Sequence, residues 1–456
     1  MDRLSAQDLS MVWPEDFGWP QDIGALGILD GSGLLEPDGR FPIQVVREQI
    51  CRRLHLLPRF RQLLYTPRWW GLGWPLWVDA PAFDIADHVA VLPVGVPAGE
   101  AQLLVACEEL RRRRLDRSRP LWQMWFLPGL ADARVGLFMK LHHAIADGVA
   151  GVAAFGALLD LSADAPAPSP PAWAPARFPT AGELFGDNLR RKIHGGRRTL
   201  AALGHPRATA QQVRRAWPAV RETFAEGRAP RTSLNQPIGP GRTLALVRSS
   251  LDQVKGIAHA HHATVNDVLS AAVAGGLRTL LASRGERVDG LVLRAFVPVS
   301  LHREQPGQAR GNLDGAMIVP LPIGEADPVH RLGLIAAETA ERKKKNRPPS
   351  GTLFPNAAIQ RAFLRHADRQ RFMNVYIANV PGPPVPLYLA GAPLAEVFPV
   401  VPLMGNIPLG IGALSYAGQF NITVVADRDG CPDAEIFTAA LRTSLDNLTH
   451  AAPVPS

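Results

Sequence analysis

Beginning at Ser162, four prolines fall within ten residues, Ser162-Ala163-Asp164-Ala165-Pro166-Ala167-Pro168-Ser169-Pro170-Pro171, and the Pro/Ala run continues to about Pro179. Such a run is linker composition, a semi-rigid spacer rather than part of a core. It divides the chain into a first unit, 1–161, a connector, 162–230, and a second unit, 231–456. A prior of roughly 150 residues per domain allows two to four units, consistent with that division. The first unit contains a helix pattern at Gly99 to Leu110 and a strand pattern at Arg134 to Leu141. The second opens near Leu234-Asn235. It shows helix patterns at Leu251 to Ala260 and Val265 to Ala282, then strand patterns at Leu291 to Val299, Ala316 to Leu321, Asn374 to Asn379 and Phe420 to Ala426. Helices and strands mixed without strict βαβ alternation predict an α+β architecture.

The connector turns polar and helix-prone from Ala181 to Gly227. Arg190, Arg191, Lys192, Arg197, Arg198, Arg214 and Arg215 are interleaved there with Leu189, Leu200, Leu203 and Val213. This pattern reads either as a solvated connector face or as a helix lying on a membrane surface. Net charge decides what else to ask: +8, with a pI near 9.8, implies attraction to nucleic acid, an anionic membrane or a phosphate-bearing substrate. Nucleic acid is set aside, because no zinc finger or other recognisable module accompanies the arginines and only 7% of residues are aromatic. The longest uncharged stretch, Val397 to Ala426, is long enough to span a bilayer but is broken by Pro399, Pro402, Pro408 and several glycines. Buried strands and turns are expected, with membrane contact peripheral. Cys51, Cys107 and Cys431 are far apart and show no metal-type spacing, and the N-terminus does not read as a secretory signal, so a cytoplasmic protein is expected.

Chemistry is concentrated where the strand pattern of the first unit ends. Arg134 to Leu141 alternates, placing Val135, Leu137, Met139 and Leu141 on one face and extending that face to His143, while His142 points the other way. Asp147-Gly148 then closes a turn, and Val149, Val152, Phe155 and Leu159 recur at helical spacing. A neutral imidazole on such a strand-to-helix loop can accept the proton that an alcohol must lose as it attacks a thioester. The thioester is already activated, so neither a metal nor a covalent serine intermediate is required. His142 reads as a hydrogen-bonded core residue, and Asp147 as a structural acid that ties the loop down.

The segment His142-His143-Ala144-Ile145-Ala146-Asp147-Gly148 matches the HHxxxDG signature shared by chloramphenicol acetyltransferase-like enzymes and peptide-synthetase condensation domains. Further stretches narrow the resemblance. Phe83-Asp84-Ile85-Ala86-Asp87-His88-Val89 and Leu115-Asp116-Arg117-Ser118-Arg119-Pro120-Leu121-Trp122 precede the histidines. Leu234-Asn235, Thr264-Val265-Asn266-Asp267-Val268, Val297-Pro298-Val299-Ser300, Gly311-Asn312 and Asn379-Val380-Pro381-Gly382-Pro383 follow the linker. Across almost its whole length the chain resembles the bacterial wax ester synthase/diacylglycerol acyltransferase family.

That resemblance implies two chloramphenicol acetyltransferase-like domains with an active-site tunnel between them, acyl-CoA entering from one side and diacylglycerol or a long-chain alcohol from the other. It implies no cofactor, acyl-CoA being a substrate, and a protein peripheral to a membrane or lipid droplet. His143 carries over as the base of a catalytic segment that also includes His142, Asp147 and Gly148. Pro120, Leu121 and Trp122 match a motif that shapes the acyl pocket, with core packing as their other reading. Asn266 and Asp267 match the family's ND motif. The Asn266 amide would donate to the developing oxyanion or position the acceptor, or the pair would simply cap a helix. Two departures fall toward the acceptor end: Ala378, where many members have serine, and Asn406-Ile407-Pro408. Asp16-Phe17-Gly18-Trp19 resembles a plant acyltransferase motif but lies at the wrong end of the chain. The basic runs Arg111 to Arg114 and Arg342-Lys343-Lys344-Lys345-Asn346-Arg347 are either solvated faces or attractors for CoA phosphates and lipid headgroups. Two other readings remain open: an acyltransferase acting on a carrier-bound polyketide or peptide intermediate, and an inactive lipid-droplet surface protein.

Overall fold

The computed structural model describes residues 1–451 except 96, 167–168, 205–226, 301–313 and 345–356. Gly311-Asn312, Val213, Arg214, Arg215 and Lys345-Asn346-Arg347 therefore lie outside the described residues, as do the side chains of Arg198, Leu200, Leu203 and Ser300.

Two six-stranded sheets organise the chain. In spatial order the first is Tyr388–Leu389, Ala392–Val400, Asp22–Asp30, Arg134–His142, Trp122–Pro128 and Val89–Val91. The second is Asp314–Pro322, Val292–Ser300, Val375–Pro381, Leu409–Tyr416, Gln419–Asp427 and Arg242–Ser250. A small third sheet joins Asp2–Arg3, Leu76–Asp79 and Gln62–Tyr65. The α+β expectation holds, and every strand predicted in the second unit forms within two residues of its expected ends. The helices Glu100–Arg112, Leu251–Ala260 and Val265–Ser283 also form where the periodicity placed them. Val397 to Ala426 resolves into a strand end, a loop and two antiparallel strands. Among the described residues no helix is long and apolar enough to cross a membrane.

The division into 1–161 and 231–456 separates the sequence more cleanly than it separates the sheets. Ala392–Val400 belongs by position to the second unit, yet it pairs antiparallel with Asp22–Asp30 of the first. Its apolar residues Leu394 and Val397 complete the first unit's core, whereas Phe398 and Val400 pack on the opposite face of that sheet. That second face is buried too. Leu26, Phe138 and Phe398 meet Leu244, Leu246 and Val425 of the other sheet in one cluster.

This packing changes the meaning of the alternation in Arg134–His142. Val135, Leu137, Met139 and Leu141 do share one core, but the alternate residues do not face water. Phe138 packs in the inter-sheet cluster, and Lys140 and His142 are each only 1% exposed. Two polar side chains held this deep need partners. The Lys140 ammonium donates to the carbonyls of Leu110 (3.2 Å) and Arg113, and lies 3.8 Å from the Asp22 carboxylate.

Candidate active site

His143 is the first residue beyond the strand Arg134–His142, and the chain is fixed on both sides of the turn. The His142 N–H donates to the Leu121 carbonyl and the His143 N–H to the Gln21 carbonyl, each at 2.9 Å. Helix Gly148–Ala157 begins at Asp147, whose carboxylate accepts the Ala150 N–H at 2.8 Å, as an N-cap does. Asp147 therefore caps this helix; it is buried, and its charge works to raise the proton affinity of His143. At Gly148 a Cβ would come within 3.1 Å of Val380, so a bare Cα lets the helix start approach the second sheet.

Between the sheets lies a cavity of about 390 Å³, within the roughly 300–1,000 Å³ range of small-molecule sites. The first sheet contributes Met139, Leu141 and Val397 to its wall, the helix contributes Gly148, Val152 and Phe155, and the second sheet contributes Tyr376, Ala378 and Leu414. Among the described lining residues, His143 is the only imidazole and Asn379 the only side-chain amide. Burial pulls the His143 imidazole below the ordinary histidine value, while a hydrogen bond to its own backbone and the Asp147 charge act the other way. The lowered proton affinity favours the neutral ring.

His142 is placed quite differently. Its Nδ1 accepts the Ala144 N–H at 3.0 Å, which leaves the proton on Nε2, 2.9 Å from a Glu15 carboxylate oxygen. Burial would raise the Glu15 carboxyl, but His142 and Arg117 beside it hold it at about 2. Burial raises the Asp22 carboxyl and brings the Lys140 amine down to about 8. His142, Glu15 and Asp22 offer three atoms within 4.8 Å of one another, a spacing open to a cation. Arg117 and Lys140 already supply positive charge to both acids.

The other expected site residues divide between cavity and core. Pro120, Leu121 and Trp122 are not among the residues that line this cavity, and their contacts are those of the core-packing reading. Trp122 is fully buried, donates to the Phe60 carbonyl at 2.8 Å, and stacks on His88 with centroids 4.7 Å apart. Leu121 packs with Leu4, Leu9 and Trp77. These residues act on the site through the backbone, since the Leu121 carbonyl holds His142. Asp267 completes a capping box with Thr264 and also accepts the Thr339 hydroxyl at 2.7 Å, the contacts expected of a helix cap. Asn266 is not on the cavity wall either. Its Oδ1 accepts from Asn379 Nδ2 at 2.6 Å, which orients the amide that is on the wall. The sequence held Asn379 in view only as part of a motif, and nothing local distinguishes it from its neighbours. Of the two departures, Ala378 lines the cavity. Asn406 does not; it is tied to Gln370 in a buried amide network at 2.7 and 3.0 Å. His262 is exposed in a turn after helix Leu251–Ala260, with a left-handed φ of 51°.

Residues 4–269 match the wax ester synthase/diacylglycerol acyltransferase catalytic domain, and 310–449 match the C-terminal domain of the same family. The chain belongs to this family of acyltransferases. A wax ester synthase/diacylglycerol acyltransferase from Marinobacter aquaeolei VT8 has the same fold, with a TM-score of 0.70 and 25% identity over 99% of this chain and 100% of that one. A relative named a probable diacylglycerol O-acyltransferase of Mycobacterium tuberculosis is 31% identical over 448 residues, 95% of this chain and 93% of its own. The starter condensation domain of rhizomide synthetase, solved with C8-CoA, is similar in fold, with a TM-score of 0.62 and 16% identity over 100% of this chain and 96% of that one. The two-unit chloramphenicol acetyltransferase-like architecture is thereby established for this family member. The catalytic-domain match runs beyond the connector to residue 269, taking in Asn266 and Asp267 along with the histidine segment.

Proposed function

We propose that the chain transfers a long-chain acyl group from acyl-CoA to the hydroxyl of diacylglycerol, with a long-chain alcohol as a second acceptor. The observation that carries this reading is His143 in the wall of an apolar cavity between the two sheets, where burial favours its neutral form. The acceptor hydroxyl gives its proton to the imidazole as its oxygen bonds to the thioester carbon. The tetrahedral oxyanion collapses, the carbon–sulfur bond breaks, and the imidazolium returns the proton to the departing CoA thiolate. Asn379, steered by Asn266, supplies polar atoms on the cavity wall for the oxyanion or the acceptor. The protein works in the cytoplasm at the surface of a membrane or lipid droplet, drawn there by its net charge of +8.

The test is an acceptor panel. Purified protein with labelled palmitoyl-CoA is offered diacylglycerol, hexadecanol, sterol and glycerol-3-phosphate, and the products are separated by chromatography. Label should enter triacylglycerol first and wax ester second. No label entering any of these alcohols, with transfer seen only when a carrier-bound intermediate is added to the panel, would replace this reading.

Two further outcomes follow from imidazole base catalysis. Turnover depends on unprotonated His143, whose value lies below 6.5. The acid limb of the kcat/KM profile should therefore be centred below pH 6.5 and the rate should be level at and above neutrality; a limb centred higher would contradict the assignment. Turnover should also survive exhaustive chelation, because proton transfer by imidazole is sufficient for an activated thioester. Loss with chelator that one metal restores would instead give the Glu15, Asp22 and His142 group a catalytic ion.

A further inference from the structure

Among the described residues, contacts anchor the helix Ala181–Gly204 along one side. Leu184 is buried against Leu76 and Val78, Asn188 donates to the Gly71 carbonyl at 2.8 Å, and Asp187 accepts from the buried Arg3 at 2.5 Å. On another side Phe185, Leu189 and Ile193 form a row at four-residue spacing, exposed by 45%, 47% and 46%. Trp69, itself 50% exposed, extends the row by stacking on Phe185 with centroids 6.0 Å apart and planes within 9°.

We propose that this face of the helix, with Trp69, docks on an anionic lipid surface, a proposal that rests on the membrane association put forward above. Helical geometry places Arg190 and Arg197 along one flank of the apolar row and Lys192 along the other, all three exposed. From 188 to 204 the sequence contains no acidic residue. An apolar stripe rimmed by cations is the composition of a helix that lies in the interface plane, its apolar side chains among acyl chains and its cations among headgroup phosphates. Tryptophan favours that same boundary. Charge also selects against a second copy of the chain, since pairing two such faces would bring like cations together. The long solvated stems of arginine and lysine reach past the row to the headgroups, as they do at other interfaces.

The experiment is flotation of the full-length chain with vesicles of phosphatidylcholine and phosphatidylglycerol, at low and high salt. One variant carries Phe185→Ser, Leu189→Ser and Ile193→Ser; the other carries Arg190→Gln, Lys192→Gln and Arg197→Gln. The unmodified chain should float at low salt and be largely released at high salt. The glutamine variant should partition on the order of 100-fold more weakly, at about fivefold per basic residue. The serine variant should stay in solution while keeping its thermal midpoint and its turnover of detergent-dispersed substrate. If both variants float like the unmodified chain, this face is not the docking surface, although the membrane association stands. An unmodified chain that fails to float removes both. A dimer that the serine variant turns into a monomer, with flotation intact, would assign the face to self-association and overturn the proposal.

Discussion

His143→Ala is expected to lower kcat for acyl transfer by at least about 100-fold, the lower range for loss of a general base, and to leave the thermal midpoint nearly unchanged. The ring is part of the cavity wall, and the turn that carries it is held by backbone bonds to Gln21 and by the Asp147 cap. Removing the imidazole therefore removes the proton acceptor but not the loop. The chain contains its own control, because His261-His262 also precedes an acidic residue, Asp267. His262 is exposed in a helix-connecting turn, and Asp267 is committed to Thr264 and Thr339. His262→Ala should keep most activity. If instead His262→Ala were the dead enzyme and His143→Ala stayed active, the site would lie elsewhere.

The largest expected effect on stability is at Asp427→Ala. This side chain is fully buried at the end of Gln419–Asp427, accepting from Arg242 at 2.6 Å and from the Gly239 and Gly430 N–H groups at 2.9 and 2.8 Å. Burial already brings the Arg242 guanidinium down to about 10, so loss of its carboxylate leaves a cation in low dielectric without its counter-charge. Breaking a buried pair from one side costs about 3–5 kcal/mol. The effect reaches across the molecule. The Arg242 N–H donates to Glu108 at 2.8 Å on helix Glu100–Arg112, and Glu108 is also paired with Arg111, so this cluster fastens the second sheet to the first unit. Thermal denaturation should show a drop of several degrees, and a double variant, Arg242→Met with Asp427→Ala, should recover part of it. A midpoint unchanged by Asp427→Ala would mean that the pair contributes little to holding the halves together.

Much of this arrangement is legible in the sequence because it is local. Period-two alternation located Arg134–His142 and carried its face on to His143, and helical spacing located Leu251–Ala260 to the residue. The family's motif stretches could be read from their order alone. The parts that were not legible depend on long-range pairing. Ala392–Val400 has a strand's composition, but nothing in it says that its partner is Asp22–Asp30 in the other half of the chain. Glu15 and Asp22 look like ordinary polar residues near the N-terminus, and only the folded sheet brings them to His142 and Lys140. Lys140 alternates as a solvent-facing residue should, yet the end of helix Glu100–Arg112 covers it. Pro120, Leu121 and Trp122 show the reverse difficulty: an apolar triplet reads the same whether it lines a cavity or fills a core.

The fate of the acyl group distinguishes direct transfer from every other route. Purified protein, labelled palmitoyl-CoA and diacylglycerol should give labelled triacylglycerol, with one CoA thiol released for each ester formed and no label retained on the protein. Thiol release without ester, or label held covalently on the chain, would contradict direct transfer assisted by His143.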